Sequence, residues 1–131
     1  MNRAAAVRQT TLTYANEKFE WGVIDCCMFC IEAAKKIEGV DFGDVFEHES
    51  EQDASEYIKE AGGLGPLVTK TMKRQPVPVN TLELGDPVLV NLPIIGHTLG
   101  IFVLDSVLCK TDAGTIKISL NRAIEGWKLN A

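Results

Sequence analysis

The amino-acid sequence predicts an α+β domain in which helices come first and an antiparallel sheet follows. As far as Arg74 the apolar residues recur mainly at helical spacing, and from Leu82 onward they alternate or form short β-rich runs. The 131 residues with 46% hydrophobic content suit one ordinary domain with one core. We therefore expect residues 1–131 to form a single domain whose N-terminal helices pack on one face of a C-terminal meander sheet.

The second predicted helix is the best specified of the elements. Asp25 is a suitable N-cap, and Gly39 can supply the left-handed residue that ends a helix. Between them, apolar residues recur at spacings of three and four. This pattern predicts one buried stripe made of Cys26, Phe29, Cys30, Ala33 and Ile37.

Three further helical segments are predicted from weaker patterns. An opening helix is expected from Arg3 to Asn16, and a short helical piece is expected around 67–72. A third helix should begin at the capping box Ser50 to Asp53 and stop at Gly62-Gly63. The residues expected in the core are Ala5, Ala6, Leu12 and Tyr14 in the opening helix, and Ala54, Tyr57, Ile58 and Ala61 in the third.

Four β-strands are predicted in the second half of the chain. The β-rich runs cover residues 88–90, 99–104, 107–109 and 116–119, and turn residues such as Asn91, Asp105 and Asp112 separate them. Links this short join antiparallel neighbours. The sequence therefore predicts a meander rather than a parallel sheet.

The net charge is -5, and acidic residues are concentrated between Glu38 and Glu60. This balance argues against nucleic-acid binding. The acidic run is read as a solvated surface, with a docking patch for a basic partner as the alternative. No apolar run approaches the length of a membrane span, and the N-terminus lacks an apolar signal-peptide region, so we expect no membrane span and synthesis in a cytoplasm.

Four cysteines raise three possible roles: core packing, metal binding and catalysis. Three lie within Cys26-Cys27-Met28-Phe29-Cys30, a spacing that does not suit a disulfide framework, so reduced thiols are expected. Cys27 and Cys30 form a C-x-x-C pair that could bind zinc or an iron–sulfur cluster together with Cys109 and His97. The competing interpretation is core packing, because there is no second C-x-x-C and Cys27 is turned about 100° from Cys26 around the helix. We expect no cofactor.

Cys26 is the strongest candidate for chemistry. A cysteine in the first turn of a helix faces unpaired backbone N–H groups and the positive end of the helix dipole, which stabilise its thiolate. Cysteine is also among the most buried residue types, so core packing remains the alternative for an isolated helical cysteine.

The residues around Cys26 resemble the nucleophile motif of NlpC-type cell-wall peptidases, in which an aromatic residue, Trp-Gly and a short gap precede Asp-Cys. Here the motif reads Phe19-Glu-Trp21-Gly22-Val-Ile-Asp25-Cys26. Leu84-Gly85-Asp86 resembles the Gly-Asp turn that enters the first strand of that family, and Thr98-Leu-Gly100-Ile-Phe102 resembles its His-x-Gly-Ile-Tyr strand. The trailing Gly126-Trp127 is similar to the last strand of a phage-encoded branch.

This resemblance implies a papain-like fold, with Cys26 as the nucleophile, a histidine on the neighbouring strand as general base and a third polar group that orients the imidazole. Peptidases of this family cut the stem peptides of peptidoglycan, and phages carry them at the tail tip. It therefore implies other phage tail proteins or peptidoglycan peptides as partners, and a place in the virion tail after synthesis in a bacterial cytoplasm.

The sequence departs from the family pattern at the base. Thr98 occupies the histidine position, and His97 is one residue earlier. Because strand side chains alternate between faces, a regular strand would aim His97 away from Cys26, whereas a bulge or a strand that starts at Leu99 would bring it back. Phe19 stands where active members of the family have a tyrosine. Asn121 and Asp112 are the candidates for the polar group that orients the imidazole.

Two functions follow from these residues. The first is a structural component of a phage tail tip, baseplate or tail assembly with an NlpC-like domain that has lost its catalytic histidine. The second is an active cysteine peptidase or amidase that uses Cys26 and His97 on peptidoglycan stem peptides. The substitution at Thr98 and the absence of a clear third residue favour the first.

Overall fold

The computed structural model describes residues 1–19, 25–45 and 51–130, with the backbone alone at 44–45 and 51–54. Within these ranges, four helices precede five strands, which confirms the predicted α+β class. The helices are α1 (Arg3–Ala15), α2 (Cys26–Glu38), α3 (Glu51–Ala61) and α4 (Leu64–Met72). The strands are β1 (Pro87–Leu92), β2 (Gly96–Phe102), β3 (Ser106–Thr111), β4 (Gly114–Ser119) and β5 (Ala123–Gly126).

The five strands form one antiparallel sheet with the order β4-β3-β2-β1-β5. The first four strands form the predicted meander. The fifth strand returns to the opposite edge and pairs with β1, so that Gly126 lies opposite Val88. The meander prediction did not contain this return. The residues of β5 carry no local signal of which edge of the sheet the strand will join.

Helix α2 has the predicted ends. The Asp25 side chain accepts a hydrogen bond from the Met28 N–H at 2.8 Å, and Gly39 ends the helix at φ 83°. Four members of the predicted stripe are buried, and Cys26 at its start is half-buried. Ala34 is buried beside them.

Helix α1 has the expected length, but its buried face differs from the prediction. Leu12 is 63% exposed, while Thr10 lies in the core. The Thr10 hydroxyl donates to the Ala6 carbonyl at 2.8 Å, so this side chain can be buried without an unsatisfied polar atom. Leu12 as a core residue was therefore wrong, because an internal hydrogen bond lets a threonine take the inward position.

Helices α3 and α4 meet at the predicted glycines, where Gly62 and Gly63 both have positive φ. Ser50 and the side chains of 51–54, including Asp53 and Ala54, lie outside the described residues. Tyr57 is 38% exposed, so its placement in the core was wrong, since α3 packs mainly against α4 rather than into the sheet. Helix α4 begins three residues earlier than the predicted piece and contributes Leu64, Leu67, Val68 and Met72 to the core.

Two apolar clusters lie on opposite faces of the sheet. Leu89, Leu99 and Ile101 face the helices and pack with α1, α2 and α4. Alternate residues on the same strands, among them Val88, Val90, Phe102 and Val107, form the second cluster. Successive side chains of a strand point to opposite faces of the sheet. Here both faces are covered, so apolar residues occupy both sets of positions. The alternation also fixes which face each residue of β2 occupies.

Lys110 is a buried charge that the sequence patterns did not single out. It is 2% exposed, and its ammonium donates to the carbonyl oxygens of Tyr14 at 2.8 Å and Glu17 at 2.6 Å. These are acceptors at the end of α1, where helix carbonyls lack intrahelical partners. Lys110 therefore ties the end of α1 to strand β3.

A partly buried ion pair between Glu38 and Arg74 joins α2 to the segment after α4. Arg74 Nη1 donates to Glu38 Oε2 at 2.7 Å, Nη2 contacts Oε1, and the Asn130 N–H also donates to Oε2. The pKa of Glu38 is lowered, chiefly by the hydrogen bond from Arg74. A depressed folded-state pKa stabilises the fold above the unfolded pKa of about 4.3, and this contribution is lost as the pH falls through the folded value.

We expect Glu38→Gln to lower the free energy of unfolding at pH 7 by on the order of 2 kcal/mol, the scale of a charge-assisted hydrogen bond. The difference from wild type should start to shrink as the pH falls below the unfolded pKa of about 4.3 and should vanish only below the lowered folded pKa, where Glu38 is protonated in both states. Urea unfolding between pH 3 and pH 7 measures this difference. A difference that stays constant over this range would contradict the assignment.

Candidate functional site

Cys26 is the first residue of α2, directly after the fully buried cap Asp25. Cys26 is half-buried, whereas the sequence pattern placed it in the buried stripe. Trp21 and Gly22 of the motif lie outside the described residues. Phe19, the first residue of that motif, is half-buried.

The Cys26 thiol lies beside a second thiol. The Sγ atoms of Cys26 and Cys27 are 4.0 Å apart. The pKa of Cys26 is lowered, first by a hydrogen bond from the Cys27 thiol and further by the backbone N–H groups of Leu99 and Cys27, against burial and the charge of Asp25. The pKa of Cys27 is raised well above its usual value by the same hydrogen bond and by burial. Cys26 is therefore the thiol of this pair that ionises, and Cys27 is the donor.

Cys30 and Cys109 differ from Cys26 in being fully enclosed. Both are buried, and burial raises the pKa of Cys30 well above its usual value and that of Cys109 to about 12. The charge of Cys26 adds to both shifts. Cys30, on the helix-facing side of the sheet, and Cys109, on the opposite side, are thus neutral core thiols, whereas Cys26 favours its ionised form.

The structure places His97 at the exposed start of β2. The ladder between β1 and β2 is continuous, with His97 opposite Asn91 and Thr98 opposite Val90. His97 shares a strand face with Leu99, whereas Thr98 is 5% exposed on the other face with Gly100. The strand is regular and begins before His97, yet it places His97 on the face of Leu99 that packs against the helices. The expectation that a regular strand would aim His97 to the face away from Cys26 was therefore wrong, although the side chain is exposed at the start of the strand.

The groups that act most strongly on Cys26 are Cys27, the Leu99 N–H and Asp25, and none of them is a histidine. The candidate third groups lie elsewhere, because Asp112 is exposed in the turn after β3 and Asn121 is exposed in the short 3₁₀ helix Leu120–Arg122. The structure therefore brings together the thiol and its hydrogen-bond donors, and leaves His97, Asp112 and Asn121 on the surface.

The structure gives Asp86 and Gly100, the two remaining motif residues, structural positions. Asp86 is fully buried and accepts hydrogen bonds from Arg3, Leu129 and Glu83. Gly100 lies where β2 meets β3, and a Cβ atom there would stand 2.7 Å from the Leu108 carbonyl oxygen. Asp86 therefore closes the turn before β1, and Gly100 permits the close approach of β2 and β3.

A metal site was the alternative interpretation of the C-x-x-C pair. Within the described ranges, no group of three or more His, Cys, Asp or Glu residues is arranged to hold a metal ion. Cys27 and Cys30 instead line an apolar recess together with Leu99. The thiol pair of Cys26 and Cys27 could not have been derived from spacing, because adjacent helical residues diverge by about 100° and only the side-chain conformations bring their sulfur atoms together.

Removal of the Cys27 thiol should raise the pKa of Cys26. We expect Cys27→Ala to shift the pH profile of Cys26 alkylation by iodoacetamide to higher pH, because the thiolate loses its strongest donor. Cys30→Ala is the matched control, since it also removes a buried thiol from α2 but Cys30 is not among the groups that lower the pKa of Cys26. The rate is followed by mass spectrometry of the peptide that contains Cys26. Equal profiles for wild type and Cys27→Ala would contradict the role of Cys27.

The chain was compared with models of known families and with curated proteins. The model of a family described as Domain of unknown function (DUF6950) matches residues 2–129. No curated protein matches the sequence. Among the described residues, none of the helices is long and apolar enough to cross a lipid bilayer.

Proposed function

Because the chain belongs to the family described as Domain of unknown function (DUF6950), we propose its function from the geometry around Cys26. The protein is a tail-associated component of a bacteriophage, with an NlpC-type papain-like fold that has kept the nucleophile position and lost the base. One observation carries this proposal. The buried Thr98 stands at the position where NlpC-type peptidases have their histidine. The thiolate of Cys26 is supported instead by a thiol and by backbone N–H groups.

The arrangement of elements supports the fold part of the proposal. A helix that begins with a cysteine packs on an antiparallel sheet, and α2 makes extensive contacts with β2. The Asp25 cap and the Asp86 network both serve the backbone directly. Residues with such roles persist in a protein that no longer hydrolyses its substrate, which explains how the motif survives without a base.

The tip of the β1–β2 hairpin supports a role in assembly. Ile94 is fully exposed and has φ 71°, and the neighbouring Ile95 is 58% exposed. A β-branched residue rarely adopts a positive φ, and two adjacent exposed isoleucines form an apolar projection. Such a projection suits contact with other tail proteins, where the partner would cover it.

The strain at Ile94 can be measured. We expect Ile94→Gly to raise the free energy of unfolding by about 1 kcal/mol, because glycine adopts a positive φ without the steric cost that a β-branched side chain has. Urea unfolding measures the change. Ile95→Gly is the control, since the φ of Ile95 is not positive and glycine there should give no gain. A gain at Ile95 but none at Ile94 would contradict strain at the tip.

An active cysteine peptidase or amidase is the second candidate, because the lowered pKa of Cys26 is a property that a nucleophile requires. Digestion of purified muropeptides by wild type and by Cys26→Ala separates the two functions. Under the proposal, neither protein releases products, although Cys26 of the wild type is alkylated near neutral pH. Product release by wild type alone would overturn the loss of hydrolysis and establish the second candidate.

The assembly part of the proposal needs its own test. Ile94→Ser with Ile95→Ser should leave the thermal unfolding of the isolated protein nearly unchanged and should reduce its incorporation into phage tails. Tail incorporation is measured by complementation in the producing phage and immunodetection in purified virions. Virions that never contain the wild-type protein would contradict the tail assignment.

A further inference from the structure

An apolar recess opens between α2, α4 and the start of the β1–β2 sheet. It is partly open to solvent, and its cavity volume is about 50 Å³. Its described walls include Cys27, Cys30, Leu67, Val68, Thr71 and Leu99. Apart from the two thiols, the Thr71 hydroxyl is the one polar side-chain group among the described lining residues, and no charged side chain is among them.

The recess is adjacent to the reactive thiol. Cys27, whose sulfur lies 4.0 Å from that of Cys26, is part of its wall. Leu99 is another wall residue, and its backbone N–H is one of the donors to Cys26. A group held in the recess would therefore contact Cys27, whose sulfur is the neighbour of the Cys26 sulfur.

We propose that this recess is a binding site for an aliphatic or aromatic group of the molecule that meets Cys26. The inference rests on the proposed function only in taking Cys26 as the reactive thiol. The walls favour an apolar group, because transfer of apolar surface out of water is favourable. They disfavour a carboxylate or an ammonium group, because a charge enclosed by apolar walls loses its hydration without gaining a partner.

Chloroacetamide reagents test the proposal at the thiol itself. The Cys26 thiolate attacks the methylene carbon, a C–S bond forms, the C–Cl bond breaks and chloride leaves with the bonding electron pair. Three reagents are compared: chloroacetamide, its N-benzyl derivative and its N-carboxymethyl derivative. Each rate at Cys26 is divided by the rate of the same reagent with glutathione, which removes differences in intrinsic reactivity.

We expect the corrected rate of the N-benzyl reagent to exceed that of chloroacetamide by about tenfold, the factor that corresponds to roughly 1.4 kcal/mol. The N-carboxymethyl reagent should be no faster than chloroacetamide. Equal corrected rates for all three reagents, or a preference for the carboxylate, would overturn the proposal.

Two variants at the wall and one away from it locate the effect. Val68→Asp places a charge in the recess, and Thr71→Phe fills it without one, so both should abolish the preference for the benzyl group. Val40→Asp is the matched control at an exposed valine outside the recess. Circular dichroism checks that each variant is folded. A benzyl preference that survives in a folded Thr71→Phe would overturn the location.

A second readout does not require a reactive thiol. In Cys26→Ala, N-benzylacetamide should shift the methyl NMR signals of Leu67 and Val68, and N-acetylglycine should not. This result together with an inert Cys26 in the wild type would uphold the recess as a binding site and refute the reactive thiol. Absence of these shifts, with Cys26 still reactive, would refute the recess alone.

Discussion

Replacement of Asp86 by alanine is expected to lower the free energy of unfolding by about 3–5 kcal/mol, the cost of breaking a buried ion pair from one side. Asp86 is fully buried, and its Oδ1 accepts from Arg3 Nη1 at 2.8 Å and from the Leu129 N–H at 2.9 Å. Its Oδ2 accepts from the Glu83 N–H at 2.9 Å. The substitution leaves these donors without their acceptor and leaves the Arg3 charge in a largely enclosed position.

The Asp86 experiment has a control that shares the same arginine. Glu83 forms an ion pair with Arg3 at 3.2 Å, but its side chain is 60% exposed. Glu83→Ala should cost less than about 1 kcal/mol, because exposed ion pairs are screened by water. Urea unfolding followed by tryptophan fluorescence measures both variants. Similar losses for the two would contradict a dominant role for the buried carboxylate.

The Asp86 network also explains why the Gly-Asp turn is uninformative about activity. Through Arg3 and Leu129 this one carboxylate joins the first helix, the turn before β1 and the end of the chain. The hydrogen bonds of this carboxylate are all made to groups of the fold, and none of them requires a substrate. The turn therefore identifies a way of closing the fold, and the question of catalysis depends on Cys26 and the residues of β2.

The sequence predicted those features that local chemistry determines. Asp25 and Gly39 specify the ends of α2 because a cap and a left-handed residue act within one helical turn. Tyr57 and Leu12 were misplaced because an apolar side chain is buried only if another element covers it, which is a tertiary property. The edge that β5 joins is tertiary in the same sense.

Sequence and structure differ in another way at the candidate site. Cys26 could be singled out from its position after Asp25, because the helix dipole acts locally. Its partnership with Cys27 and with the Leu99 N–H could not, because it depends on side-chain conformations and on a strand more than 70 residues away. Lys110 was missed because a lysine within a β-rich run is expected to face solvent, and here the end of α1 supplies its acceptors.

Substitution of Gly100 by alanine should strongly destabilise the sheet. An added Cβ would lie 2.4 Å from Val107 Cγ1, 2.6 Å from Cys109 Sγ and 2.7 Å from the Leu108 carbonyl oxygen. Side chains can rotate away, but the carbonyl oxygen belongs to the backbone of β3. Strands β2 and β3 pair only at Ile101–Leu108 and Phe102–Val107 in the described ladder, so the clash lies beside a short contact.

We expect Gly100→Ala to lower the free energy of unfolding by about 3 kcal/mol, the upper part of the usual range for overpacking. Gly65→Ala is the control, because its added Cβ would meet a Leu89 methyl group at 3.3 Å and α4 gains helix propensity. Its effect should be neutral or stabilising. Urea unfolding compares the two variants, and a Gly100→Ala protein as stable as Gly65→Ala would contradict the close approach of β2 and β3.

The same substitution tests the link between the sheet and the thiol. Gly100 is adjacent to Leu99, whose backbone N–H helps to lower the pKa of Cys26. If β2 moves away from β3 to accommodate a methyl group, this N–H moves with it, and the alkylation profile of Cys26 should shift to higher pH in the folded variant. A variant that is destabilised but keeps the wild-type profile would show that the thiolate depends on Cys27 rather than on the strand.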